Sequence, residues 1–183
     1  MFQKSISIIS FILLLPFMII IALIIIFFDG RPILYRQQRV GKGNKHFYMY
    51  KYRTMLNGVG DIPKSSIVNP KSIVTNSGKI LRKYSIDELP QLFNVIIGDM
   101  NLIGYRPCLP NEKDVILKRK KFVLEKYKPG ITGWAQINGR DKISVEDKAI
   151  LDAYYYSNRS LFLDIKILLK TLHVVIFKKN ISH

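Results

Sequence analysis

An uninterrupted apolar run near the start of the chain constrains its fold more than any other feature. Residues 11–28 are 18 uncharged apolar residues in a row, close to the shortest helix that can cross a bilayer at about 1.5 Å rise per residue. A cleaved signal peptide fits less well, because the run is long, no small-residue cleavage site follows it and only Lys4 precedes it as a cation. The sequence predicts a membrane-embedded segment over residues 1–30, followed by one domain over residues 31–183.

The residues that flank and interrupt this run bear on its topology. Five cations follow it at once, which places the bulk of the protein on the cytoplasmic side; they are Arg31, Arg36, Arg39, Lys42 and Lys45. Pro16 lies inside the run, where it removes a backbone donor and crowds the preceding turn, so a bend or break is expected. Both a spanning helix and a broken helix whose polar end returns to the entry face fit this pattern.

The charge balance narrows the class of partner. The 183 residues include 29 Lys and Arg against 13 Asp and Glu, a formal net charge of +16, which favours a polyanionic partner. The length suits one compact domain. The single cysteine, Cys108, cannot form an internal disulfide and fits a reducing compartment. The three histidines show no spacing typical of a catalytic partner for Cys108, so it is interpreted as a packing residue.

The rest of the chain predicts a mostly helical α+β domain with short strands. Residues 32–55 alternate partly and predict one or two strands around a turn at 41–44. Residues 57–78 predict a surface loop that could act as a mobile cover. Helices are expected over 85–97, closed by Gly98, and over 112–128 and 144–155.

A last helix is expected near the end of the chain. Its apolar residues recur at a spacing of three and four; they are Leu161, Ile165, Leu168, Leu169, Leu172 and Ile176. Such a helix could lie in the bilayer surface with its lysines near anionic headgroups. An ordinary core-packing helix fits the same pattern.

The adjacent acids Asp87 and Glu88 are the strongest candidates for chemistry. They follow a basic run that includes Arg82 and Lys83. The alternative is structural, because Ser85 and Glu88 have the spacing of a capping box. That box leaves Asp87 without a role. A carboxylate can attack a phosphoryl group directly, and a divalent metal can neutralise the phosphate oxygens.

Two arginines in loops shaped by Gly and Pro could bind those phosphates. Arg106 lies between Tyr105 and Pro107, and Arg140 lies at the end of a glycine-rich loop predicted over residues 129–136. The planar guanidinium suits bidentate binding of oxyanions. Each arginine alone is more often a partner in a surface salt bridge. Together with the acid pair they predict a pyrophosphate clamp.

Five ordered motifs resemble those of the bacterial sugar transferases, and most closely those of the small monotopic phosphoglycosyl transferases. The resemblance covers nearly the whole chain, and five motifs in this order are far more specific than any one of them. The motifs are GRPILYRQQRVG (30–41), YKYRTM (50–55), SIDELPQLFN (85–94), GYRP (104–107) and PGITGWAQINGR (129–140).

The resemblance implies an activity. Members of that family move a phosphosugar from a nucleotide diphosphate sugar, usually a UDP-sugar, to a polyprenyl phosphate such as undecaprenyl phosphate. The transfer occurs at the cytoplasmic face of the bacterial inner membrane and starts the assembly of a glycan such as a capsule or an exopolysaccharide. Nucleic acid is not an expected partner.

The resemblance also implies roles for residues. Asp87 would form a covalent phosphosugar intermediate and release UMP, with Glu88 assisting, and Mg²⁺ would bridge Asp87 and the diphosphate. The phosphate contacts would be Arg82, Arg106 and Arg140. Asp152 would be a further acid near the site, and the N-terminal segment would be a re-entrant helix broken at Pro16.

A different class of function is driven by charge alone. A membrane-tethered basic module could bind nucleic acid or anionic lipid without catalysis. A structural anchor for an assembly complex is a third possibility. Neither gives the Asp-Glu pair a role, and the sequence carries no helix-turn-helix, RNA-recognition or zinc signature.

Overall fold

The described part of the chain is a mostly helical α+β structure, which confirms the predicted fold class. The computed structural model describes residues 2–58, 73–139 and 143–177. The α-helices are α1 (Phe2–Asp29), α2 (Asn76–Lys83), α3 (Gln91–Ile97), α4 (Lys113–Lys121), α5 (Trp134–Ile137), α6 (Val145–Ser157) and α7 (Leu161–Phe177). The strands are β1 (Leu34–Val40), β2 (His46–Tyr52), β3 (Asn101–Ile103) and β4 (Gly130–Thr132).

The basic aromatic stretch forms the predicted hairpin. Strands β1 and β2 pair antiparallel from Leu34 opposite Tyr52 to Val40 opposite His46. The turn is a short 3₁₀ helix at Lys42–Asn44, with Gly43 at φ 64°. A left-handed residue at this point is readily supplied by glycine, which has no Cβ to clash. The prediction for residues 32–55 is confirmed.

The structure also contains a second, parallel pair of strands that the sequence does not predict. Strand β3 pairs with β4, with Asn101 opposite Gly130 and Ile103 opposite Thr132. A Cβ at Gly130 would lie 2.1 Å from the backbone nitrogen of Gly104. The glycines therefore allow two backbones to approach closely, and do not mark a free loop. The interpretation of residues 129–136 as a loop is wrong, since β4 and α5 occupy it.

The predicted loop over residues 57–78 is also too long. Its residues 59–72 lie outside the described part, but α2 already begins at Asn76. The hydroxyl oxygen of Thr75 accepts a hydrogen bond of 3.0 Å from the backbone N–H of Gly78 and caps the helix. Gly78 is required there, because a Cβ would lie 2.4 Å from the carbonyl oxygen of Thr54.

The predicted helix over residues 85–97 is divided in two. A 3₁₀ turn covers Ile86–Glu88, and α3 begins after Pro90. Proline has no N–H to donate, so it is suited to the start of a helix and not to its interior. The expected end is confirmed, since Gly98 terminates α3 at φ 96°.

The later helices agree in part with the sequence. The helix expected over 112–128 ends at Lys121, because Val123 adopts a left-handed backbone at φ 58° and a 3₁₀ turn follows at Leu124–Lys126. Helix α6 confirms the prediction for 144–155 and is capped by the Ser144 side chain. Helix α7 confirms the last expected helix.

The apolar surface of α7 is divided between core and solvent. Leu163 and Ile167 are buried and pack in the main hydrophobic cluster with Tyr155. Most of the predicted stripe instead faces outward, namely Leu161, Ile165, Leu169 and Leu172. Leu168 is the stripe residue that packs against this cluster, so the core-packing alternative is met mainly by residues outside the stripe.

Helix α1 lies against the domain along its length. Within the described residues it is the only helix long and apolar enough to cross a membrane. The residues facing the domain repeat at three and four; they are Ser7, Phe11, Leu14, Met18, Ile21 and Ile25. The opposite face is apolar and exposed, from Ile8 to Phe28. Pro16 lies inside the assigned helix, so the bend or break there stays a prediction.

Candidate active site

The acid pair lies in the 3₁₀ turn between α2 and α3. Ser85, directly before it, has a left-handed backbone at φ 53°, and its side chain makes no capping hydrogen bond. An N-cap residue needs an extended backbone, so the capping box predicted as the alternative does not form. The left-handed conformation costs a residue with a Cβ roughly 1–2 kcal/mol. This turn therefore leaves Asp87 and Glu88 available for other contacts.

Glu88 is held by two cations from different parts of the fold. Its Oε1 accepts a hydrogen bond of 2.8 Å from Nζ of Lys51 on β2. The same oxygen accepts one of 3.1 Å from Nη2 of Arg106, which follows β3. The Glu88 side chain is only 13% exposed, so these are charge-assisted contacts largely shielded from solvent. Glu88 thereby ties the hairpin and the parallel strand pair to the acid turn.

Asp87 is buried among charges of both signs. Its burial raises the pKa of the carboxyl to about 6, and the neighbouring carboxylate of Glu88 acts in the same direction. Lys51 opposes this rise most strongly, followed by Arg82 and Arg106, which also favour the ionised form. At neutral pH most of the Asp87 population is ionised. A desolvated carboxylate facing three cations is suited to nucleophilic attack on a phosphoryl group.

Arg82 reaches this site from the last turn of α2. Its Nε donates a hydrogen bond of 2.8 Å to the hydroxyl oxygen of Thr54, which follows β2. Burial lowers the pKa of Arg82, and the charge of Asp87 opposes that effect. The guanidinium stays charged in any protein environment. Arg82 therefore supplies a fixed positive charge beside Asp87.

Asp152 lies deeper, in α6, and contacts the site through Arg119. The two side chains are 3.8 Å apart from Nη2 of Arg119 to Oδ2 of Asp152. Burial raises the pKa of Asp152 to about 7, opposed by the charges of Arg119 and Lys148. Nη2 of Arg119 also donates a hydrogen bond of 2.6 Å to the carbonyl oxygen of Arg106.

The structure therefore brings together four of the predicted site residues and connects a fifth. Asp87, Glu88, Arg82 and Arg106 form one charged cluster, and Asp152 is connected to it through Arg119. Arg140 lies outside the described residues. Its proposed role as a phosphate contact stays a prediction.

Two residues of the site were not found from the sequence. Lys51 lies in the YKYRTM motif, and a single cation between the aromatic residues of a strand was a usable signal for it. Arg119 is one of five cations in the nine residues of α4. Nothing in that run distinguishes the one cation that faces inward.

The donor set around Asp87 has a bearing on metal binding. Within the described residues, no group of three or more His, Cys, Asp or Glu side chains could hold a metal ion. Magnesium, however, is commonly bound by one or two carboxylates together with substrate phosphates. Because Oε1 of Glu88 already accepts from two cations, Asp87 is the carboxylate of the pair better suited to such a shared site.

The chain belongs to the bacterial sugar transferase family, whose model matches residues 1–178. It is 43% identical over 153 residues to the uncharacterized sugar transferase EpsL of Bacillus subtilis, covering 84% of this chain and 74% of that protein. The resemblance to the bacterial sugar transferases noted in the sequence is confirmed. Membership of this family favours an enzyme over a non-catalytic basic module.

Two larger relatives carry more specific names. The undecaprenyl-phosphate glucose phosphotransferase of Komagataeibacter xylinus is 35% identical over 192 residues, covering 98% of this chain and 36% of that protein. The UDP-N-acetylgalactosamine-undecaprenyl-phosphate N-acetylgalactosaminephosphotransferase of Aeromonas hydrophila is 37% identical over 166 residues, covering 88% of this chain and 39% of that protein. The chain thus spans little more than a third of these two relatives.

Proposed function

We propose that this protein transfers a sugar phosphate from a UDP-sugar to undecaprenyl phosphate, the first membrane step in the assembly of a bacterial glycan. The single observation that carries the proposal is the buried Asp87 carboxylate among Lys51, Arg82 and Arg106. The relatives named for undecaprenyl phosphate, one of which also names a UDP-sugar, support the choice of acceptor and donor.

The chemistry has two displacements at one phosphorus atom. A carboxylate oxygen of Asp87 attacks the phosphorus that bears the sugar, a new O–P bond forms, and the bond to the UMP oxygen breaks. UMP leaves with the electron pair of that bond. A phosphate oxygen of the polyprenyl phosphate then attacks the same phosphorus, which breaks the bond to Asp87, restores the carboxylate and gives the polyprenyl diphosphosugar.

The other residues of the site bind the phosphates, hold the cations in place or bind the metal ion. Arg82 and Arg106 offset the negative charge of the diphosphate, and Arg140 is proposed as a third phosphate contact. Lys51 and Glu88 fix each other and the Arg106 guanidinium, so the cations are in place before the donor binds. Asp87 would hold Mg²⁺ together with the diphosphate oxygens. When bound, the ion neutralises phosphate charge.

The protein is proposed to be monotopic, with its catalytic domain on the cytoplasmic face of the inner membrane. Both ends of α1 contact this domain. Near the start, Oε1 of Gln3 accepts a hydrogen bond of 3.3 Å from the backbone N–H of Ile103. Near the end, Nη2 of Arg53 donates one of 2.5 Å to the carbonyl oxygen of Asp29. A helix crossing a bilayer would separate its ends by about 30 Å of hydrocarbon. A re-entrant or surface-lying α1 is therefore favoured over a spanning one.

Cysteine labelling tests this topology. In a Cys108→Ser background, Lys4→Cys places a thiol near the start of α1, and Lys45→Cys places one on the exposed hairpin turn as the matched cytoplasmic reference. Both are expected to react with a membrane-impermeant maleimide only after the cells are permeabilised. Labelling of Lys4→Cys alone in intact cells would show that α1 crosses the membrane.

A direct assay tests the proposed reaction. Purified protein is incubated with a panel of UDP-sugars and Mg²⁺, with and without undecaprenyl phosphate, and UMP is measured. Without acceptor we expect about one equivalent of UMP per enzyme and an intact-protein mass increased by one sugar phosphate. With acceptor we expect continuous release of UMP. Turnover that requires acceptor but never yields a covalent adduct would contradict the Asp87 intermediate.

A further inference from the structure

One cation of helix α4 is oriented differently from its neighbours. Lys113, Lys120 and Lys121 are exposed, and Lys118 forms an ion pair with Glu146 at the surface. The side chain of Arg119 instead is only 12% exposed and lies near Asp152 of α6. A buried guanidinium needs partners that compensate for its lost hydration.

Arg119 contacts Arg106, the proposed phosphate-binding arginine, and Tyr105, the residue before it. Its Nη2 donates a hydrogen bond of 2.6 Å to the carbonyl oxygen of Arg106. Its guanidinium carbon lies 4.5 Å from the ring centroid of Tyr105, at the distance of a cation–π contact. Arg119 therefore contacts both Tyr105 and the backbone of Arg106. The side chain of Arg106 in turn binds Glu88.

Asp152 completes this arrangement from the other side. Its side chain is 4% exposed and lies 3.8 Å from the same Nη2 atom of Arg119. Such burial leaves little surface for a substrate to touch. The contacts form one chain, from Asp152 to Arg119, to the carbonyl of Arg106, and through the Arg106 guanidinium to Oε1 of Glu88.

We infer that Asp152 and Arg119 are positioning residues, with Asp152 orienting Arg119 so that Arg119 holds Arg106 against Glu88. This inference rests on the proposed transfer reaction and assigns Asp152 a role at a distance from the substrate. A group that acts only through another has no effect once the intermediate group is removed. A group that touches the substrate keeps its own effect.

A double-mutant cycle on UMP release distinguishes these two cases. Asp152→Asn and Arg119→Gln are each expected to lower kcat/KM by roughly tenfold or more, because small misplacements of a site residue are costly. The double variant should be no slower than the slower single variant within about twofold, since both changes interrupt one chain. Effects that multiply would overturn the inference, because Asp152 would then act on its own.

Two further variants separate positioning from general packing. Lys118→Gln removes the Lys118–Glu146 ion pair between the same two helices, α4 and α6, and should leave kcat/KM within about twofold of wild type. Arg119→Lys keeps the charge but lacks the planar fork, so it is expected to restore only part of the rate lost in Arg119→Gln. Equal losses in Lys118→Gln and Arg119→Gln would reduce Arg119 to a packing residue and overturn the inference.

Thermal stability provides a test of the inference that does not require enzymatic turnover. Thermal unfolding is measured for Arg119→Gln, Glu88→Gln and the double variant, with Lys118→Gln replacing Arg119→Gln in a parallel cycle. Coupling through Arg106 predicts non-additive shifts in the first cycle and additive shifts in the second. Additive shifts in both cycles would overturn the inference. If the wild-type protein released no UMP from any donor, the proposed function would fail, and the stability cycle would still decide the role of Arg119.

Discussion

Replacement of Asp87 by asparagine is expected to lower UMP release by roughly 10³-fold or more, because removal of a nucleophile eliminates the covalent route itself. Asparagine keeps nearly the same shape. Burial already disfavours the negative charge of Asp87 among Lys51, Arg82 and Arg106, and the amide that replaces it is neutral. The protein should therefore still fold. The mass increase of one sugar phosphate, expected for the wild-type protein without acceptor, should be absent. Rate and intact mass are measured on the same preparation.

An exposed acid supplies the control for this variant. Asp114 lies in the first turn of α4, is exposed, and carries the same charge. Asp114→Asn should release UMP at a rate within about twofold of wild type and should still form the adduct. A persistent adduct in Asp87→Asn would assign the nucleophile to another residue. A slow Asp87→Asn variant with the thermal stability of wild type would locate the defect in chemistry.

The sequence predicts the charged cluster around Asp87 better than it predicts the backbone that positions these residues. Asp87, Glu88, Arg82 and Arg106 were recognised from charge and motif, and they converge as expected. The sequence predicts the wrong backbone at two kinds of position, namely non-glycine residues with a left-handed conformation and glycines in close backbone contacts. Ser85 and Val123 adopt left-handed conformations that their residue types rarely show, so local propensity predicts helix where the chain turns.

Glycine caused the opposite error. Gly130 and Gly78 were interpreted as loop residues, although each permits a close approach of two backbone segments, at β3 and at Thr54. A glycine that supplies close packing and one that supplies a flexible turn look alike in a single sequence. Contacts between residues far apart in the chain are equally hard to predict from one sequence. The contact of Arg119 with Arg106 depends on which face of α4 is buried, and the evenly basic sequence of α4 does not define that face.

The two hydrophobic helices, α1 and α7, show why periodicity alone does not identify the buried face of a helix. In α1 the residues that face the domain have a spacing of three and four, from Ser7 to Ile25, but the opposite face is also apolar, so the sequence does not distinguish the two faces. In α7 the predicted stripe is mostly exposed, while Leu163 and Ile167 supply most of the core contacts. A helix that is apolar on two faces contains two sets of apolar residues with the spacing expected of a buried face. Only the neighbouring elements decide which stripe is buried.

Replacement of Lys51 by methionine is expected to reduce UMP release at pH 7 by roughly 10²-fold, comparable to the loss of one preorganised donor in an active site. Lys51 is the strongest influence that opposes the raised pKa of Asp87, so its loss moves that pKa further up from about 6. Attack requires the ionised carboxylate. Activity is therefore present above the pKa of Asp87 and lost as the pH falls through it, and in the variant this loss begins at a higher pH.

The matched control for Lys51 lies on the same hairpin. Lys45 is an exposed lysine next to the turn between β1 and β2, and Lys45→Met removes the same charge without touching Glu88. Rates of UMP release at donor concentrations well below KM, which report the pKa values of the free enzyme, are compared from pH 5 to pH 9 for both variants and wild type. The acidic limb of Lys45→Met should coincide with that of wild type, near the pKa of about 6 of Asp87. A Lys51→Met variant that is slow but has an unshifted limb would mean that Lys51 acts on the diphosphate or on Glu88 alone. The electrostatic coupling of Lys51 to Asp87, on which this account of the nucleophile depends, would then be wrong.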